Sequence, residues 1–227
     1  MILSHAHKFI LLKTWKTGST SVELGLGGIC GPDDVITPVG HDEKYRIGPP
    51  PQNQDLPMWR WTPRNWLLLA LFRARREAGV KFYNHMSAKE VRRMVPARVW
   101  RDYLKITIER NPWDREVSHY YWRLRNPATR PSFREYVLDI ERKRINNWDI
   151  YTIDNEIVAD VVIRHENLVA DYNALAEKIG TPLPPLPHAK SSYRQDKRHY
   201  RELFDDETRD IIAERYANEI KAFGYTF

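Results

Sequence analysis

The sequence predicts an α/β fold: three α/β/α layers, with a mostly parallel central sheet and helices on both faces. Three observations point there. Short apolar runs with the length of buried strands recur at 8–13 ("KFILLK"), 80–85 ("VKFYNH"), 103–110 ("YLKITIER") and 157–164 ("IVADVVIR"). Helix-patterned stretches with start and stop signals lie between them. Strands that alternate with helices pair in parallel and bury both faces. At 227 residues the chain suits a single domain, 1–227, with one core.

The first strand, 8–13, runs into "TGSTSVELGLGG" (17–28). There Thr20 or Ser21 is expected to cap a short helix that Gly27 and Gly28 end. Residues 31–63 are rich in proline, glycine and polar side chains and hold no period, so they read as an irregular surface excursion. A helix is expected over 63–78, with Pro63 at its start and Gly79 past its end. The strand at 80–85 follows, then a helix over 87–95 with a Ser87/Glu90 capping box. The run at 103–110 alternates and is β-branched, the clearest strand pattern in the chain. Asn111 and Pro112 open a helix to about 124. Further helices are expected over 132–145 and 167–180, the latter stopped by Gly180. "TPLPPLP" (181–187) is extended, and 205–225 is an amphipathic last helix stopped by Gly224.

The composition is that of an ordinary globular protein, 42% hydrophobic and 29% charged. A formal charge of +6 favours anionic partners, although a solvated charge excess gives the same number. The single cysteine, Cys30, excludes an intramolecular disulfide and a cysteine zinc cluster. His5 and His7 have no partner cluster for a metal, and none is expected. No apolar run approaches the roughly 18 residues of a membrane span. "WLLLALF" (66–72) reads as a buried helix. The chain enters a strand-like run almost at once, so a soluble cytoplasmic protein without a signal peptide is expected. The sequence leaves the oligomeric state open.

Parallel sheets bind ligands at the carboxyl ends of their strands. The loop at 15–21 lies at such an end. Gly18 lets the backbone approach a ligand, and the amides of 18–21 point at it from a helix start, which suits an anion. Lys16 adds a positive charge; Thr17, Ser19, Thr20 and Ser21 add hydroxyls. A triphosphate loop of the Gly-x4-Gly-Lys-Ser/Thr kind is absent, since Lys16 precedes Gly18. A generic strand-to-helix turn fits this stretch equally well. In "ERNPWDREVSHYYW" (109–122), Arg110 leaves a strand at the same edge and Ser118 lies about two turns into the next helix. Together they can grip one phosphate. Arg115, three residues before Ser118, shares its face; Arg115 and Asp114 otherwise read as helix-surface charges.

"KTWKTGSTS" with "RNPWDREVSHYYW" resembles the paired signature of sulfotransferases that use 3′-phosphoadenosine 5′-phosphosulfate (PAPS). Lys16, Gly18, Ser19, Thr20 and Ser21 match the loop that in that superfamily holds the 5′-phosphosulfate. Arg110, Asn111, Pro112, Arg115 and Ser118 match the segment that holds the 3′-phosphate. The closing "IKAFGYTF" is similar to the family's ending, and the likeness is weakest over 31–63. The resemblance implies a P-loop-NTPase-like sulfotransferase fold, PAPS as co-substrate, 3′,5′-ADP (PAP) as product and no metal. It also implies that Lys16 stabilises charge on the departing phosphate oxygen, favouring the transition state over the ground state.

An acceptor hydroxyl needs a base. His85 is expected just past the second strand on the same edge, and it resembles the base histidine of several sulfotransferase branches. It could instead serve a helix start by bonding near Asn84 or Ser87. Glu23, Asp33 and Asp34 are the carboxylates that could replace it. His41 reads as surface and His165 as structural. Trp15, Trp113 and Trp122 flank the two motifs; one could stack on adenine, but core packing is expected for each. Lys190, Arg194, Lys197 and Arg198 could close over the nucleotide, or form a solvated charge run. Arg60, Arg64, Arg73, Arg75 and Arg76 are expected with 31–63 around the acceptor entrance. The acceptor, a small molecule or saccharide, is not fixed by the sequence, and nucleic acid is not expected. Two other readings are a P-loop kinase-like phosphotransferase and a non-catalytic basic module for glycans or nucleic acid.

Overall fold

Alternate residues of a strand face opposite layers, and the first two strands use both. β1 (Ile2–Ser4) pairs antiparallel with β2 (Phe9–Leu12). Phe9 and Leu11 enter one buried cluster, and Ile10 and Leu12 enter another on the opposite face. The computed structural model describes residues 1–55, 63, 81–139, 141, 144–187, 196 and 198–227. In chain order there follow α1 (Ser19–Gly27), β3 (Val35–Ile36), α2 (Ala88–Met94), α3 (Ala97–Asp102), β4 (Leu104–Glu109) and α4 (Pro112–Arg123). Then come α5 (Phe133–Leu138), α6 (Trp148–Tyr151), β5 (Thr152–Ile153), β6 (Glu156–Ile157), β7 (Val161–Arg164), α7 (Leu168–Ile179), α8 (Asp206–Arg215) and α9 (Ala217–Phe223).

The five-stranded sheet has the order β3-β1-β2-β4-β7. It is mixed: β2, β4 and β7 are parallel neighbours, while β1 and β3 extend one side antiparallel. The sequence reading missed β1. A tight turn at 5–8, with Lys8 at φ +52°, folds β1 back on β2, and a hairpin can only pair antiparallel. Val22 and Leu26 of α1 with Tyr172 and Leu175 of α7 cover one face. Val91 of α2 with Ile150 and Tyr151 of α6 cover the other. A third cluster joins Val117 and Tyr120 of α4 to Phe133 and Tyr136 of α5 and Ile212 of α8.

Several expectations change. Residues 81–85 form turns rather than a strand: the amides of Lys81 and Phe82 both donate to Gln54 O, at 2.9 Å. Phe82 and Met86 are buried, so apolar content there serves the core without a sheet partner. The 31–55 part of the excursion carries β3, a 3-10 turn at Gly40–Tyr45 and a bridge from Ile36 to Gln52. The last helix breaks at Tyr216, whose hydroxyl donates to buried Glu116 at 2.8 Å. The helix expected over 132–145 ends at Leu138, where Asp139 turns extended. Apart from Pro63, the helix expected over 63–78 lies outside the described residues, as do Arg60, Arg64, Arg73, Arg75 and Arg76. The Ser87/Glu90 box, the Asn111 cap and the Gly180 and Gly224 stops are as expected.

Candidate functional site

Register brings three loops to one edge. Leu12 pairs with Thr107 and Glu109 with Arg164, so β2, β4 and β7 end side by side. The segments that leave them interlock. Arg110 Nη1 donates to Lys16 O at 3.3 Å, His165 Nδ1 to Thr17 O at 3.1 Å, and Asn111 N to Glu166 Oε1 at 2.6 Å.

Within the first loop, buried hydroxyls fix the path. Thr14 Oγ1 donates to Ile108 O, so Thr17 Oγ1, 2.7 Å away, donates to Thr14. Ser19 Oγ donates to Thr14 O at 2.6 Å. The Thr17 and Ser19 side chains therefore shape the loop, and what they offer a ligand is backbone. Lys16 takes φ +62° and Gly18 φ +82°. Gly18, not Thr20 or Ser21, is the N-cap of α1. A glycine cap brings no side-chain oxygen to the first-turn amides, the arrangement an anion requires. A Cβ at 18 would lie 3.0 Å from His165 Nδ1 and 3.2 Å from Leu168 Cδ2, so space as well as φ demands glycine.

The second stretch meets the first along α4. Asp114, Ser118 and Trp122 follow one another at i, i+4 spacing on one face. Asp114 accepts from Arg110 Nε at 2.8 Å, and Lys16 Nζ lies 5.1 Å above the Trp122 ring. Ser118, half-buried, sits between these two contacts on that face. Arg115 is elsewhere. It is fully buried, not a surface charge, and its guanidinium donates to Glu109 Oε1 at 2.6 Å and Glu219 Oε1 at 3.2 Å. Tyr151 donates to the other Glu109 oxygen at 2.8 Å. Burial raises the Glu219 carboxyl, against the pull of Arg115.

His85 reaches the site from a turn, at φ +62°, rather than from a strand end. Its Nδ1 lies 3.0 Å from Lys13 O. A carbonyl only accepts, so Nδ1 carries the proton and Nε2 holds the lone pair. Burial, then the cations of Lys13 and the Met1 amino group, push the imidazole down to about 3. His165 is likewise pushed to about 4 by burial and Arg110. The alternative carboxylates are occupied. Glu23 is fully buried between Lys13 and the Met1 amino group, which burial pushes down to about 5; burial would raise Glu23, but Lys13 first and then the protonated Met1 hold it at about 2. Asp34 accepts from Ser4, His5, Ala6 and Gly31, and Asp33 is exposed.

Trp113 is core, as expected, but Trp122 lies under Lys16, and Trp15 is 37% exposed and stacked on His85. His41 is exposed. Lys190, Arg194 and Lys197 lie outside the described residues, and Arg198 pairs with Asp196. Sequence reading missed Asn147. Fully buried at the start of α6, it accepts from Trp15 N at 2.8 Å and donates to Trp15 O at 3.0 Å. No local pattern marks an asparagine as the clamp of a loop 132 residues away. Among the described residues no histidine, cysteine and carboxylate group could hold a metal ion, and no helix is long and apolar enough to cross a membrane.

No family model and no solved structure matches the chain. Among curated proteins, an "Uncharacterized protein" of Archaeoglobus fulgidus is 32% identical over 101 residues, which cover 43% of this chain and 84% of that protein.

Proposed function

We propose, for a chain that belongs to one family with that Archaeoglobus fulgidus protein, that it is a sulfotransferase moving a sulfuryl group from PAPS to a hydroxyl or amine of an acceptor. One observation carries the reading: a single face of α4, Asp114–Ser118–Trp122, runs from Arg110 to Lys16 and so links the two anion-binding stretches. Lys16, Arg110, Ser118 and the glycine-capped start of α1 are a donor set suited to two separate phosphates.

PAPS supplies the transferable group, whose bond to a phosphate oxygen breaks as the acceptor oxygen binds sulfur. The electron pair stays on the phosphate oxygen. Lys16 sits on the loop that would meet this charge, and the amides of 18–20 orient the group, the Ser21 amide being bonded to Gly18 O at 3.0 Å. Nε2 of neutral His85 takes the acceptor proton. In the free protein the imidazole is a weak base, because burial first, and then the nearby cations, oppose its protonation. An anion bound at the loop counters that field and raises it. The test is release of labelled sulfate from PAPS, with PAP as co-product, to a panel of glycans, lipids and phenols. Transfer that Lys16→Ala abolishes is expected; a folded protein that transfers to none of the panel and does not hydrolyse PAPS overturns the proposal.

A further inference from the structure

Trp15 is out of place as a core residue. It sits one residue before Lys16, is 37% exposed, and lies flat on His85, with ring centroids 3.5 Å apart and planes 15° from parallel. One face of the indole is covered by the imidazole, and the exposed remainder opens to solvent. The ring is not loose. Asn147 clamps the Trp15 backbone through both its N–H and its C=O, and the residues at each side of the stack, Lys16 and His85, hold φ +62°. Strained backbone persists where the surroundings over-determine it, and it gathers at ligand sites. A rigid, amphipathic, exposed tryptophan offers a large contact area at little entropic cost.

The stack also limits what can lie there. A ring resting on the open face of Trp15 would be about 3.5–4 Å above it, and hence about 7 Å from the imidazole plane. A proton acceptor reaches only about 2.6–3.2 Å. The ring that stacks is therefore not the ring that reacts. A lone phenol, with its hydroxyl in the plane of the stacked ring, does not satisfy both demands. Two linked pyranoses do: one offers its C–H face to the indole, and its neighbour turns past the indole edge with a hydroxyl towards His85.

We propose that Trp15 is the acceptor platform of the site and takes one ring of a saccharide of at least two linked rings. The inference rests on the sulfuryl-transfer reading and names its acceptor class. It is tested by calorimetry on the full chain, first with PAP alone, then with saturating PAP and matched probes: glucose and cellobiose, N-acetylglucosamine and chitobiose, and 4-nitrophenol. At least one disaccharide is expected to bind about tenfold or more tighter than its monosaccharide. Trp15→Leu should lose that margin, Trp15→Phe should keep most of it, and both should hold PAP within about twofold, which also shows that they fold. Equal binding of one and two rings, no saccharide binding, or a margin untouched by Trp15→Leu overturns the platform. Failure of the wild-type chain to bind PAP overturns instead the transfer reading on which it rests.

Discussion

Asn147→Ala isolates the clamp on the candidate loop. The substitution removes two hydrogen bonds, at 2.8 and 3.0 Å, from the backbone of Trp15 and leaves its N–H and C=O without those partners in a partly buried place. Each bond contributes on the order of 1 kcal/mol net, and a stranded group costs about 1–3 kcal/mol more. Partial access of water at Trp15 brings the expected loss to about 2–3 kcal/mol. At this chain length that lowers the melting temperature by about 4–12 °C. The released loop can also relax the left-handed Lys16, a conformation that costs a non-glycine residue on the order of 1–2 kcal/mol. PAP affinity should then fall by more than overall destabilisation explains. Urea titration and calorimetry on the same preparation separate the two. A variant as stable as wild type, or one destabilised with PAP affinity unchanged, would refute the role of Asn147 in holding Lys16.

Other outcomes follow from the same geometry. Lys16→Ala should lose sulfate transfer while costing little stability, about 0.5–1 kcal/mol for the contact over Trp122, as read by activity and melting temperature together. Gly18→Ala forces a Cβ into φ +82° and to 3.0 Å from His165, so it should destabilise by about 1–3 kcal/mol and weaken PAP binding in urea and calorimetric titrations. Stability should begin to fall as pH drops below about 8, not only at carboxylate pH. The unfolded chain protonates the Met1 amino group near 8 and His85 and His165 near 6.5, whereas burial makes the folded chain resist until about 5, about 3 and about 4, so the unfolded state holds more protons across that window. The slope reaches about 1.4 kcal/mol per pH unit for each of these groups. Urea midpoints from pH 7.5 to 4.5 should show it, steepening below about 6.5, and His85→Gln should remove roughly a third of the slope there.

What the sequence disclosed was what local chemistry encodes. The Ser87/Glu90 box, Asn111 before Pro112 and the stops at Gly180 and Gly224 act within a few residues of themselves, and they stand where the pattern puts them, whereas the cap of α1 falls on Gly18 rather than on Thr20 or Ser21. Contacts made by the fold were not legible. Arg115 lies off the apolar stripe of α4, so it reads as exposed, yet Glu219 of α9 closes over it from 104 residues away. "VKFYNH" has the composition of a strand, but Phe82 is buried in the core while the Lys81 and Phe82 amides bond to Gln54. Tryptophans read as core by type; Trp15 and Trp122 are instead placed by His85 and Lys16, which no periodicity reveals. The hairpin that made the sheet mixed was hidden because β1 has only three residues.

In the proposed site, Lys16 with the start of α1, and Arg110 with Ser118, hold two phosphates of one nucleotide. Calorimetry of PAP against 5′-ADP, which lacks the 3′-phosphate, tests it most directly, in the wild-type chain and in Arg110→Ala. The wild type should bind PAP at least about tenfold tighter than 5′-ADP, Arg110→Ala should erase the difference, and PAP at a hundredfold its Kd should stabilise the chain by about 2.7 kcal/mol. No binding of PAP at millimolar concentration, or a preference for it that Arg110→Ala leaves intact, would contradict it.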